Sequence, residues 1–318
     1  MLACAVAILL LSSEAHACGD WSLPQNHFEG VNSTGFVDLW EQIGTLDLGE
    51  VKVPVNIGFQ TYLPYVSKEL GAGWILPLLD ANIVQRDEGT FDMVQPDGWI
   101  ALFRRDGSNP NILHGSGGML AEIQGSTITV NSTCGSGWKM VFTQGKLTTL
   151  SKGKHTLSIE RDALGRGVAI RDGITPVMRL EQDQATGLAK SIQIGAQKYQ
   201  LAYDGKPRIE NVGGQNLVGG VEPSLHEITY PQEMGGKKET YDFALTEKML
   251  PELKITDTEG KERMIVWGLD GRMLQDGEWS YKITPSRDAG ANAAIERTNA
   301  QRTPFSPSQT GSPVYSPP

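Results

Sequence analysis

Six Asp-Gly dipeptides punctuate the chain: Asp97-Gly98, Asp106-Gly107, Asp172-Gly173, Asp204-Gly205, Asp270-Gly271 and Asp276-Gly277. Between alternating apolar runs such a pair is a hairpin signal, because both residues tolerate the positive φ of a type I′ turn. The neighbouring runs do alternate. STITV (126–130) is one, and WKMVF (138–142) places Trp138, Met140 and Phe142 on a single face. YQLAY (199–203) and WSYKI (279–283) repeat the pattern with Tyr199, Leu201 and Tyr203, and with Trp279, Tyr281 and Ile283. No window of eleven or more residues carries a helical period. Glycine, at 37 of 318 residues, is plentiful enough to supply many turns. The fold class that follows is all-β: an extended antiparallel meander of stacked hairpins, curling as long antiparallel sheets do.

Three segments share one plan: GKLTTLSKGKHTLSIERDALGR (145–166), GLAKSIQIGAQKYQLAYDGKPR (187–208) and LKITDTEGKERMIVWGLDGR (253–272). A strand, a turn and a second strand lead to an Asp near a Gly, then to a basic residue. A unit of hairpin size cannot bury its own apolar face and must stack on its neighbours. The pattern predicts a β-sheet domain over 46–284. Residues 18–45 read as an N-terminal linker, and 285–318, rich in Pro and Ser, as a flexible tail that cannot offset its ordering entropy.

The first 17 residues, with an apolar stretch ending in Ala15-His16-Ala17, read as a signal peptide without the usual basic start. Cleavage after Ala17 would leave Cys18 first. That position suggests two fates, a bacterial lipid anchor on Cys18 or a disulfide to Cys134. Either way the chain is expected to be secreted or held at a bacterial surface or in the periplasm. A net charge of -9 leaves no basic stripe for nucleic acid. No later stretch offers the roughly 18 apolar residues that a transmembrane span needs.

LGAGWILPLLDANIVQ (70–85) and FDMVQPDGWIALFRRDG (91–107) resemble the N-terminal region of bacterial Rhs/YD-repeat proteins. There an L-G-x-G-W-x-x-P segment precedes a strand pair joined by a Pro-Asp-Gly turn. The matching residues are Leu70, Gly71, Gly73, Trp74 and Pro77, then Pro96, Asp97 and Gly98. YDGKPR (203–208), with Tyr203, Asp204 and Gly205, is similar to a YD repeat, while RDALGR (161–166) and LDGR (269–272) are degenerate versions. GANAAIERTNAQ (290–301) resembles the linker that precedes further repeats in such proteins. The resemblance implies a β-sheet shell segment acting as an N-terminal scaffold module. The chain has too few repeats for a closed shell and carries neither the proteolytic core nor the cargo domain of a toxin-delivering member. Gly71 and Gly73 around Trp74 suit a close-packed bend with the indole in the core.

Chemistry is harder to find. HGSGG (114–118) and CGSGW (134–138) miss the G-x-S-x-G pattern, and their surroundings are hairpins rather than a strand-turn-helix elbow. His27, His114, His155 and His226 are scattered without metal-ligand spacing. Asp87, Glu88 and Glu227 cannot be paired into a glycosidase from sequence. DGSNPN (106–111) lacks the rest of a calcium loop. The sequence therefore assigns no catalytic residue, metal or cofactor. It predicts a non-enzymatic scaffold or interaction module whose partner is a protein or cell-surface glycan. The alternative is a carbohydrate-binding module or carbohydrate-active enzyme stacking sugars on Trp99, Trp267 or Trp279.

Overall fold

A computed structural model of the chain describes residues 35–61, 67–96, 98, 100–132, 137–212, 215–284 and 293–299. The signal peptide, Cys18, His27, Asp97, Trp99 and Cys134 lie outside them, as does all of the tail but 293–299.

The chain is all-β, as the alternation predicts. The first strands are β1 (Asp38–Asp47), β2 (Lys52–Gln60) and β3 (Trp74–Ile75), followed by a one-turn helix α1 (Pro77–Asp80) with Pro77 in its first turn. Next come β4 (Asn82–Gln85), β5 (Thr90–Val94), β6 (Ile100–Arg105), β7 (Ile112–Gly115), β8 (Met119–Gln124), β9 (Thr127–Ser132) and β10 (Trp138–Thr143). β11 (Lys146–Lys152), β12 (His155–Arg161), β13 (Gly167–Asp172), β14 (Thr175–Gln182) and β15 (Ala189–Ile194) continue the meander into two long strands, β16 (Gln197–Val212) and β17 (Gln215–Thr229). β18 (Lys238–Leu245), β19 (Pro251–Thr256), β20 (Glu262–Trp267), β21 (Met273–Asp276), β22 (Trp279–Thr284) and β23 (Ala294–Asn299) complete it. From β4 onward each strand pairs antiparallel with the next, and, against the expectation that the repeats are too few for closure, the sheet closes on itself where Asn82 of β4 meets Lys146 of β11.

β1, β2 and β3 form a separate antiparallel sheet, and the large sheet wraps around it. β2 is buried from Val53 to Gln60, so both of its faces are covered and its sequence reads as a near-continuous apolar run. The segment after it touches strands far apart in the meander. Ala81 accepts from Leu147 N at 3.0 Å, Glu69 O from Ala189 N at 2.8 Å, and Pro223 O from Ala72 N at 2.9 Å. Phe59 packs on Trp74, Phe243 and Trp267 at 5.3–5.6 Å between ring centres. The core is thus one cluster built from the inner sheet and the concave face of the outer one.

Four expectations about boundaries and turns are corrected. Strand β1 starts at Asp38 inside the expected linker, and β23 places 294–299 in the sheet rather than in a flexible tail. Asp204-Gly205 is no turn: Asp204 and Gly205 lie inside β16 opposite Ser224 and Pro223, and pairing runs on to Val212↔Gln215. The inner segment supplies the reason, because Gly71 bridges to Ser224, directly opposite Asp204, and keeps β17 extended alongside β16 at the dipeptide. Finally, at Asp172-Gly173 and Asp276-Gly277 the Asp closes the strand, and only the Gly has positive φ, +58° and +55°. This is type II′ rather than I′ geometry. It leaves each Asp a cross-strand partner: His155 at 2.9 Å for Asp172, and a two-pronged Arg263 contact at 2.6 Å for Asp276.

The repeated Asp, Gly and basic residue have a structural reason. Asp162 Oδ1 accepts the backbone N–H of Leu164 and Arg166 at 2.9 Å, and Asp270 Oδ1 accepts that of Arg272 at 3.1 Å. Each is a tight loop closed by the Asp side chain.

Candidate functional site

The Gly-Trp segment is consumed by packing. Leu70 is fully buried and Trp74 is 2% exposed, its indole N–H donating to Ser224 Oγ at 3.1 Å. Tyr241 meets the Trp74 ring edge-on at 4.6 Å. Phe59 lies close against Gly73, and Trp40 fills the space where Gly98 would carry a side chain. Pro96 is buried beside it. The Tyr203 hydroxyl approaches Glu69 O at 3.1 Å and Ala189 O at 2.8 Å, tying the inner segment to β15 and β16. Asp204 is exposed and accepts from Gly205 N at 2.6 Å, while Gly205 leaves room for Val221.

The other candidates go to structural duties. His114, His155 and His226 contact Asp106, Asp172 and Asp242 at 2.9, 2.9 and 3.3 Å. Asp106 Oδ1 caps its loop through Ser108 and Asn109, and hydrogen bonds hold its carboxyl well below the usual range. Asp87 caps Gly89, and Glu227 pairs with Lys238 at 2.9 Å. Trp267 is 4% exposed, and Arg297 stacks on Trp279 at 3.8 Å. Among the described residues no three His, Cys, Asp or Glu side chains gather to hold a metal ion, and no helix is long and apolar enough to cross a membrane.

Sequence reasoning missed a cleft of about 710 Å³ between β1 and strands β18 to β20. Its walls are Trp40, Trp74 and Tyr241, and in it the Tyr230 hydroxyl lies 3.1 Å from Glu41 Oε1 and 3.2 Å from Glu239 Oε2. A phenol has one proton, so it satisfies only one of these carboxylates as donor. The second contact needs a proton on the other carboxyl. Burial, reinforced by Glu41, accordingly pushes Glu239 up to about 7, and burial raises Glu41 as well. Glu41 and Tyr230 lie 189 positions apart, and the three residues share no motif, so no local signal could have joined them.

A second acid cluster anchors the inner segment. Glu69 takes Gly167 N–H and the Ser67 hydroxyl, Asp80 takes Leu76 N–H at 2.6 Å, and Arg161 donates to Leu79 O at 2.6 Å. Burial, then the nearby Glu69, raises Asp80 to about 7, and burial raises Asp38 to about 6. Unfolded carboxyls ionise near about pH 4. Between there and about 7 the folded chain therefore binds more protons than the unfolded one, and its stability falls as pH rises. The urea midpoint should be higher at pH 5 than at pH 8, and the gap should narrow in Asp80→Asn. An equal gap in that variant would refute the assignment.

No protein-family model matches the chain, and no curated protein matches it.

Proposed function

We propose that the chain is a non-enzymatic β-sheet scaffold and interaction module of a secreted or surface-attached protein, built as the N-terminal part of an Rhs/YD-repeat-like shell. The observation that carries this reading is the filled interior. The outer sheet encloses its own N-terminal segment, so the most motif-like residues, Leu70 and Trp74 among them, serve packing. The Ala15-His16-Ala17 site and Cys18 support export, with or without a lipid anchor. The outer surface is what remains for contact, whether with a protein or a cell-surface glycan.

Its most distinctive feature is the β16–β17 arm. Pairing with β15 ends at Gln200 and pairing with β18 begins at Glu227, so the distal strands pair mainly with each other. There Leu217, Val218 and Val221 are 48–66% exposed, a small apolar strip of the kind that marks an interaction site. The double variant Leu217→Glu/Val221→Glu should keep its stability within about 1 kcal/mol, since neither side chain is in the core. It should also lose retention of the labelled chain on envelope fractions of the source cells. Equal retention of both proteins would count against the arm. Hydrolytic turnover of a glycan by the purified chain would overturn the scaffold reading in favour of a carbohydrate-active protein.

A further inference from the structure

The cleft between β1 and β18–β20 confines negative charge that its neighbours leave unneutralised. Glu41 and Glu239 form no ion pair among the described residues, although Glu239 is buried and Glu41 half-buried. The charged and titratable groups around them come from every adjoining element. Tyr230 follows β17, Lys237 precedes β18, and Tyr241 is on β18; Asp257 and Lys261 bound the β19–β20 turn, and Arg263 is on β20. None of the cations answers the pair. Arg263 is committed to Asp276 through two 2.6 Å contacts, and Lys237 and Lys261 are exposed. Within the cleft, the Tyr241 side chain is 3% exposed, and its hydroxyl faces Glu239 without a hydrogen bond of good geometry.

We propose that this cleft binds an organic ammonium group, such as the primary alkylammonium of a lysine side chain or a free amine. Two carboxylates supply the charge and acceptors, the partly exposed Trp40 ring in the cleft wall supplies an aromatic surface that attracts a cation, and Tyr241 supplies a further oxygen. A divalent metal is the poorer match, because among the described residues no third acidic or imidazole ligand joins the pair. The chain's net charge of -9 favours the approach of a cation from solution. The site stands independently of the scaffold reading.

The proton held by the carboxyl pair beside Tyr230 gives the proposal a signature. An ammonium favours two ionised carboxylates, so its entry must expel the proton to solvent. Binding is therefore coupled to proton release at pH 6, and the release fades above pH 8, where the pair has already lost that proton.

The test is calorimetric titration of the full chain with n-butylammonium and, as the uncharged counterpart, 1-butanol. Buffers of different ionisation enthalpy count the protons. Saturable binding of the ammonium alone is expected, with release approaching one proton at pH 6. Glu239→Gln and Glu41→Gln should each weaken binding by about tenfold or more, the scale of one lost charge contact. Both substitutions remove a repulsive charge while keeping shape, and melting curves verify that they stay folded. Equal binding of 1-butanol, no binding of butylammonium, or unchanged affinity in folded Glu239→Gln would each overturn the proposal. So would binding of a neutral oligosaccharide that butylammonium fails to displace.

Discussion

Trp74→Ala lowers the unfolding free energy by about 3–5 kcal/mol, the range for removing a buried indole from a packed core. That is a large share of the roughly 5–15 kcal/mol that holds a typical domain together. The loss is concentrated because Trp74 joins three parts of the molecule at once. Its ring packs on Phe59 of β2 and Tyr241 of β18, and its N–H is bound by Ser224 of β17. Removing it leaves a cavity between the inner sheet and its wrapping, and neither side can collapse without breaking backbone bonds such as Ala72 N to Pro223 O. Ser224→Ala separates the polar part of the effect. It strands a buried indole N–H and should cost about 1–3 kcal/mol. Urea unfolding followed by tryptophan fluorescence measures both, and a Trp74→Ala loss below about 1 kcal/mol would mean the indole is not in the core.

Gly71→Ala is the second large effect, at about 2–5 kcal/mol. Gly71 has φ +80°, which an L residue pays roughly 1–2 kcal/mol to adopt. An added Cβ would also collide with the Pro223 carbonyl oxygen, backbone that is fixed by the Ala72 hydrogen bond, adding about 1–3 kcal/mol of overpacking. Gly49 is the control. Its φ is +87°, yet nothing lies within 4 Å of a Cβ there, so Gly49→Ala should show the backbone part alone. If the two substitutions cost the same, the close approach of 71 to β17 is wrong.

Together the two variants probe the feature that the sequence was least able to disclose. Residues 38–45 read as a linker because β1, DLWEQIGTLD, mixes charged, polar and apolar residues without clean alternation. Its irregularity has a cause: one side of the strand faces the core through Leu39, Ile43 and Leu46, while Glu41 and Trp40 line the cleft. The register also slips between Gln42 and Gly44. The cleft itself was illegible for a stronger reason. Glu41, Tyr230 and Glu239 are unremarkable one at a time, and only their meeting gives them a shared proton.

Strand content and the buried face of most hairpins were determined by the sequence alone. Trp138, Met140 and Phe142 are 4%, 2% and 0% exposed, as their alternation requires, because side-chain direction in a strand is set by neighbouring residues. Loop positions marked by Asp and Gly were equally local, except at Asp204-Gly205. Tertiary structure alone decided what the sheet encloses, where β16 and β17 stop pairing, and which acids meet. Those outcomes depend on contacts between residues far apart in the chain, where burial of the inner segment outweighs the turn preference of a dipeptide.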